Sequence, residues 1–554
     1  MKLFYTFIAI LFIQIIFSQN SEFAKNRILF SFNDSKQISA IDDIGAIEAL
    51  QFLYNDFSIK RIKLLDKAYS KSNKINNRPI LIEFNNTIEV EAVIDALKNT
   101  NLFLYVEPDF INYGSGIKKE DKLTPTKNTE NILFTTTPND TYFFRQWALH
   151  NDGTFNLSPS TVDADIDMIE AWDHTTGNPN ITMAVMDSGL RMTHPEFTGR
   201  IWTNPNETTN GTDTDSNGYI DDINGWDFVN DDNNPTDDHG HGTNVAGIAT
   251  ATGNNGIGYA GVDWSCKVMP LKVLDNNNSG FTSNIIESFY YAIANNVKII
   301  SISIGGSGFS VAYETAINSA YNNGIIVVAC MMNFNNNVSY YPAAFTNTIA
   351  VGSTDSNDER TEPFFWSNTS GSNYGNHIDV VAPGNYMYGL SYSSDNNYNS
   401  YWGGTSQATP LVSGICSLML SLNPNLTVDE IRAILRDTAE DLVGDAQDTV
   451  GWDQYYGAGR VNAFNALSRV LSTEDYSYTN LTIYPNPVVD NLHISTYKLS
   501  SIKNYTITNI SGQLLKTGII EDNSIDCSFL SEGVYFVKLT SDSGISELRK
   551  FIKK

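Results

Sequence analysis

The chain has 554 residues and a formal net charge of −27, from 62 acidic and 35 basic side chains. So large an anionic excess, with few Lys or Arg clusters, argues against a nucleic-acid partner and suits solubility and calcium uptake. The length allows roughly two to four domains and ample buried core.

Met1-Lys2, an apolar run over residues 3–17 and Ser18-Gln19-Asn20 read as a secretory signal peptide, residues 1–18, cleaved after Ser18. The run is short and badly flanked for a stable membrane span; an N-terminal anchor is the alternative. Next come a strand at Ile80–Phe84, a helix over residues 89–98 with Val90, Val93, Ile94 and Leu97 on one face, and a strand over 102–106. Residues 114–137 are polar with little periodicity and read as an exposed, cleavable linker.

From 138 to 471 strands alternate with helices. Residues 299–304 and 325–330 are largely apolar, as expected for strands covered on both faces. Residues 282–295 carry Ile285, Ile286, Phe289, Tyr290 and Ile293 at helical spacing, and Thr427-Val428-Asp429-Glu430 is a capping box. This alternation predicts a doubly wound parallel α/β domain with its site at the carboxyl ends of the strands. A short linker, 472–478, precedes a change of pattern. Residues 479–554 hold short alternating strands around a turn at Ser511-Gly512, a small β-sandwich by pattern. Of the four cysteines, Cys330 and Cys416 sit in apolar segments as small buried hydrophobes, with Cys266 and Cys527 besides. No disulfide framework is expected.

Three distant segments carry candidate chemistry. Asp187 ends an apolar strand in Met183-Ala184-Val185-Met186-Asp187-Ser188-Gly189; His241 lies in His239-Gly240-His241-Gly242-Thr243-Asn244-Val245-Ala246-Gly247; Ser406 lies in Gly403-Gly404-Thr405-Ser406-Gln407-Ala408-Thr409-Pro410. A serine hydroxyl becomes a useful nucleophile when an imidazole takes its proton and a carboxylate orients that imidazole. The order Asp…His…Ser separates this set from chymotrypsin-like and α/β-hydrolase orders. A helix beginning near Ser406 would offer its amide to a developing oxyanion.

From these residues the chain resembles the subtilisin-like serine proteases, the subtilases. The resemblance selects His241 over His239, since only His241 is followed by Gly-Thr; His239 is then an exposed loop residue. It implies that Asn333, after Val327-Val328-Ala329-Cys330-Met331-Met332, supplies a side-chain oxyanion donor, and that Ser303-Ile304-Gly305 and Ser279-Gly280 form two edges holding substrate backbone. Main-chain pairing of that kind is indifferent to side chains and points to a broad endoprotease. Gln407 replaces the family's usual Met, and Met332 and Tyr340 stand where Gly is common, beside the primary specificity pocket. Either these two narrow the pocket against large aromatic P1 residues, or the backbone has shifted and Met332 packs in the core.

The same resemblance makes residues 19–113 an inhibitory pro-segment ending on Tyr105-Val106-Glu107-Pro108-Asp109. Tyr484-Pro485-Asn486-Pro487, Gly533-Val534-Tyr535 and the basic end Arg549-Lys550, Lys553-Lys554 resemble the C-terminal sorting domain of the Bacteroidetes type IX secretion route, so that machinery is an expected partner. A generic adhesive module is the alternative.

Asp213, Asp215, Asn217, the Tyr219 carbonyl and Asp222 (or Asp221) alternate oxygen ligands around Gly218, like the start of an EF-hand loop without its final Glu. Hard oxygen donors favour calcium over zinc; a solvated acidic loop is the alternative. Residues 253–259 resemble the family's second calcium loop, with Glu196 as an acidic partner. Together these features predict a secreted, calcium-stabilised serine endopeptidase acting on polypeptides. The rivals are a catalytically inactive surface-binding relative and an adhesin whose C-terminal domain does the work.

Overall fold

The computed structural model describes residues 21–35, 38–70, 74–121, 136–472, 482–495, 502–510, 513–520, 523–541 and 546–554. The expected signal peptide, nearly all of the 472–478 linker and the Ser511-Gly512 turn lie outside them. The chain divides into two units, Met1–Val470 and Leu471–Lys554.

A seven-stranded parallel sheet organises the first unit, in the order Val380–Pro383, Ile349–Thr354, Ile326–Cys330, Ile299–Ile302, Thr182–Asp187, Lys267–Lys272, Trp226–Asp227. Its strands are largely apolar between their ends because alternate residues enter different cores. Met183, Val185, Ile299, Val328 and Val351 meet Val245, Ala249, Leu411 and Ile415 of the helices His241–Thr250 and Thr405–Leu422. Ala184, Met186, Ile300, Val327 and Ala350 meet Ile285, Phe289, Ala316 and Ile317 of Thr282–Ala294 and Val311–Asn322. Helices therefore cover both faces, as the alternation predicts. The expected strand over 299–304 breaks after Ile302; Ile304–Gly305 leaves this sheet to pair elsewhere.

Preceding this domain is an antiparallel sheet of Phe23–Phe32, Ile59–Leu64, Ile80–Phe84 and Phe103–Gly114, with a core of its own. The helix Val90–Lys98 buries Val90, Val93, Ile94 and Leu97 on it. The last strand runs well past the expected 102–106. Its far half pairs with Ser279–Phe281 and Ile304–Gly305 rather than with its own sheet. The linker reading needs correction at its start: Gly114 is still strand, and Ile117–Glu120 pairs antiparallel with Ser400–Gly403. Composition misleads there because the neighbouring edges, not the segment's own residues, supply the pairing.

The second unit holds two antiparallel sheets, one of Thr482–Tyr484, Asn491–Ser495 and Ser524–Asp526, the other of Leu514–Ile519, Ile502–Asn509, Gly533–Ser541 and Ser546–Lys553. Leu492, Ile494 and Ile525 of the first share a core with Ile507, Val537, Leu539 and Phe551 of the second. All four cysteines are buried free thiols. Among the described residues no helix is long and apolar enough to cross a membrane.

Candidate active site

Asp187 ends the strand Thr182–Asp187 and is wholly buried. Its Oδ1 accepts from the Ser188 amide at 2.8 Å and lies 2.7 Å from His241 Nδ1. His241 opens the helix His241–Thr250, behind Gly240 at φ 109°. A Cβ at Gly242 would collide with the Gly189 carbonyl, so only glycine lets this helix approach the turn after Asp187 so closely. The imidazole meets the Trp402 ring at 5.6 Å, and its Nε2 is buried without a hydrogen-bond partner.

Ser406 is the second residue of the helix Thr405–Leu422. Its Oγ donates to the Ser303 carbonyl at 3.1 Å and sits 2.5 Å from Ser115 Oγ. The serine–imidazole bond is therefore not made in this rotamer, because the hydroxyl is drawn to those two oxygens. Asn333 Oδ1 accepts from the Thr405 amide at 2.8 Å and from Thr405 Oγ1 at 3.1 Å. These bonds fix the amide's orientation and leave Nδ2 to donate to the Ser115 carbonyl.

Residues 111–120 lie across this group as an extended peptide. Asn112 and Tyr113 pair with Gly280 and Ser279 on one side; Tyr113 and Gly114 pair with Gly305 and Ile304 on the other. The Gly114 amide donates to Asn278 O at 3.0 Å, and the Ser115 amide to Ser303 O at 3.3 Å. Every edge residue expected from the sequence thus touches one backbone segment. Upstream, Glu107 and Asp109 each meet the start of a catalytic-domain helix. Glu107 accepts from Ser310 Oγ at 2.5 Å, Val311 N at 2.9 Å and Ala312 N at 3.2 Å. Asp109 accepts from Ser283 N at 2.8 Å and Ser283 Oγ at 2.7 Å. Residues two apart on a strand face one way, which explains the Glu-Pro-Asp spacing. Burial raises both carboxyls above their ordinary range.

Met332, Tyr340 and Cys330 form one small buried cluster. Met332 holds φ 71°, a region that favours glycine, and its Sδ lies 3.8 Å from Cys330 Sγ. Tyr340 stacks on Phe334 at 5.2 Å.

The subtilase family model matches residues 178–459, which contain Asp187, His241, Asn333 and Ser406. The chain belongs to the subtilase family. It is 32% identical over 379 residues to the thermophilic serine proteinase of Bacillus sp. (strain AK1), covering 68% of this chain and 76% of that protein. Against thermitase of Thermoactinomyces vulgaris it is 34% identical over 331 residues, or 60% of this chain and 99% of thermitase. Subtilisin E of Bacillus subtilis (strain 168) matches at 35% over 288 residues, 51% of this chain and 64% of that one. This subtilase is a serine protease by family. Residues 482–554 match the secretion system C-terminal sorting domain, which assigns it to secretion or the cell surface.

The expected metal loop is gathered only in part. Asp213 and Asp215 come together with Glu207, their ligand atoms all within 4.8 Å of one another. Asp222 is buried and held by Asn204 and Asn217 amides and by the Tyr291 hydroxyl at 2.6 Å; burial pushes its carboxyl up to about 6. Asn217 spans Asp215 and Asp222 with its amide, at 3.2 and 2.9 Å. The Tyr219 side chain goes to the core, donating to Glu287 at 2.9 Å. In the second loop, Glu196 accepts from Asn255 Nδ2 at 2.7 Å and Tyr259 N at 3.2 Å. Asp140 joins through the Asn254 amide at 2.6 Å, and its Oδ1 is buried without a partner. Burial pushes Glu196 up to about 8 and Asp140 up to about 6.

Sequence reasoning missed Glu207 and Asp140. Neither sits in a motif, though Glu207 lies only six residues before Asp213. His239 also needs correction. It is half-buried rather than exposed, its ring between His241 (6.4 Å) and Trp402 (6.1 Å), and burial, then His241, lowers its pKa.

Proposed function

We propose that this subtilase is a secreted serine endopeptidase made as a proenzyme, with Asp187, His241 and Ser406 as its triad. One observation carries the reading. A continuous stretch of the chain's own backbone lies between two strand edges with its Ser115 carbonyl on Asn333 and its Ser115 amide 3.2 Å from Ser406 Oγ. That is how a substrate peptide would be held for acyl transfer.

Turning Ser406 away from Ser303 lets His241 Nε2, now without a partner, accept the hydroxyl proton. Asp187 holds Nδ1 at 2.7 Å and stabilises the imidazolium so formed. Negative charge developing on the substrate oxygen would be met by Asn333 Nδ2 and by the Ser406 amide, in the first turn of its helix where backbone donors lack an intrahelical partner. The segment expected at 19–113 acts as the inhibitor. With Gly114 it completes the strand Phe103–Gly114 that covers the cleft edges, and it anchors through Glu107 and Asp109.

Calcium is the structural ion this reading adds. The candidate ligands are all oxygens, and Asp140 Oδ1 is buried without a hydrogen-bond partner, a place a bound cation would fill. Glu207, Asp213 and Asp215 would hold one ion, with Asn217, the Tyr219 carbonyl and Asp222 as the further ligands of that loop; Glu196, Asp140 and the 253–259 loop would hold another.

Labelling with a serine-reactive fluorophosphonate tests the triad. Wild type is expected to label and hydrolyse peptides, and Ser406→Ala to do neither. Substrate binding that survives with no wild-type labelling would instead favour an inactive surface-binding relative.

A further inference from the structure

We propose that the cleft selects Gly-Ser-Gly around the cut bond, that Asn278 and Met332 set this choice, and that Ser115–Gly116 is the first bond hydrolysed. The inference deepens the protease reading above and rests on it.

The bond is located by its carbonyl. Ser115 is the residue whose oxygen meets Asn333 Nδ2 and whose amide meets both Ser303 O and Ser406 Oγ. A Cβ at Gly404 would collide with that oxygen, so the loop before Ser406 is cut back to admit it. On the other side of the bond, Gly116 lies against the imidazole. A Cβ there would be 3.0 Å from His241 Cδ2.

Each neighbouring position is closed to larger side chains by a different group. At P2, a Cβ on Gly114 would overlap the Asn278 side-chain amide and lie 2.6 Å from its Cγ. Asn278 is buried, and its backbone is fixed in the left-handed region at φ 59° with its main-chain N–H donating to Asp275 O at 2.9 Å, so the side chain gives way only by turning about its own bonds. At P1, the Ser115 hydroxyl points at Cys330 Sγ (3.4 Å) and lies 3.5 Å from Thr405 Oγ1. Behind Cys330 the space is taken by Met332, which also crowds Gly305: a Cβ there would sit 2.6 Å from Met332 Sδ. At P1′, a Cβ on Gly116 would stand 2.9 Å from the Gln407 amide nitrogen. Further out, the P4 residue Asn112 is buried and donates to Thr282 Oγ1 at 2.9 Å, a polar seat rather than an apolar one.

In the reaction, Ser406 Oγ bonds to the Ser115 carbonyl carbon and its proton passes to His241 Nε2. The bond to the Gly116 nitrogen breaks, and that nitrogen takes the proton and leaves as an amine. Water then releases Ser115 as a carboxylate. One water is consumed, and Gly116 becomes the new amino terminus. The preferred substrates are extended, glycine- and serine-rich polypeptide segments.

The full-length chain tests this by intact mass and N-terminal sequencing over time. The earliest new amino terminus is expected at Gly116 in wild type and absent in Ser406→Ala. The processed enzyme is then assayed on a quenched peptide carrying residues 111–118. Ala in place of Gly at P2, or Phe in place of Ser at P1, should each lower kcat/KM by about 10–200-fold. Asn278→Gly, which suits the left-handed backbone, should raise the Ala-to-Gly ratio at P2 about tenfold. An earliest terminus elsewhere, equal cleavage after Phe and Ser, or an unmoved P2 ratio would overturn the inference while leaving the protease reading intact. No hydrolysis and no fluorophosphonate labelling would overturn both.

Discussion

Asp109 offers a direct measure of what holds the N-terminal region on the catalytic domain. Its carboxylate takes both the amide and the hydroxyl of Ser283 in the first turn of Thr282–Ala294, with every atom buried. Asp109→Ala strands these donors. A buried donor without a partner costs about 1–3 kcal/mol, and the hydroxyl can rotate while the amide cannot. The net loss is then about 3 kcal/mol, or roughly 100-fold in the opening equilibrium of the docked strand. Asp109→Asn should behave differently. It keeps an oxygen for the amide and a donor for the hydroxyl, and gives up only the longer ion pair with Arg27, whose Nη1 lies 3.8 Å from Oδ2. We expect Asn to stay within about threefold of the parent. The assay is hydrogen exchange at the Gly114 and Ser115 amides, which donate to Asn278 and Ser303, in a Ser406→Ala chain that stays uncut. Exchange within threefold of the parent for Asp109→Ala would refute the reasoning. Equal effects of Ala and Asn would assign the docking to charge at the helix end instead.

Three other outcomes are expected. Asn333→Ala should lower kcat by about 10²–10³-fold with little change in KM, because its donor matters most to the developing oxyanion; a loss confined to KM would count against that role. Saturating calcium at about 100 times its Kd should stabilise the chain by about 2.7 kcal/mol per site, so a chelator should lower the calorimetric midpoint, and an unmoved midpoint would remove structural calcium. Burial, then Glu359, pushes Asp355 up to about 7, with an Asn385 hydrogen bond opposing. A raised carboxyl favours folding below its unfolded value and loses that contribution as pH rises through its folded one. Stability should therefore fall between about pH 4 and pH 7, by about 1–2 kcal/mol after allowance for partial exposure. Asp355→Asn should melt higher than wild type at pH 8 and alike at pH 4; parallel curves would refute the assignment.

The doubly wound sheet was legible because each strand must be apolar on both faces. The segments of the proposed triad were legible because each side chain has its own local setting: a strand end for Asp187, a glycine-lined approach for His241, a helix start for Ser406. The Glu-Pro-Asp spacing was visible as a pattern, yet only folding brings the two helix starts it serves beside that strand. Asp140, Glu207 and Asn278 were not legible, since each acts on groups brought near by folding rather than by sequence. For Asn278 a faint signal existed. The run Asp275-Asn276-Asn277-Asn278 before Ser279-Gly280 announces a turn with a left-handed residue, but not that its side chain walls off a neighbouring strand. Residues 114–120 misled in the opposite direction, looking like linker because the edges that order them belong to other segments.

The two halves of the peptide lying across the cleft are held unequally. Phe103–Gly114 is flanked by an edge on each side at its far end and carries two buried carboxylates. Ile117–Glu120 leans on a single strand, with Ile117, Lys119 and Glu120 exposed. If the chain is severed between them, as we propose, the downstream half would leave first while the upstream half stays seated, and escape of the fragment bearing Glu107 and Asp109 would be the slow event in emptying the cleft.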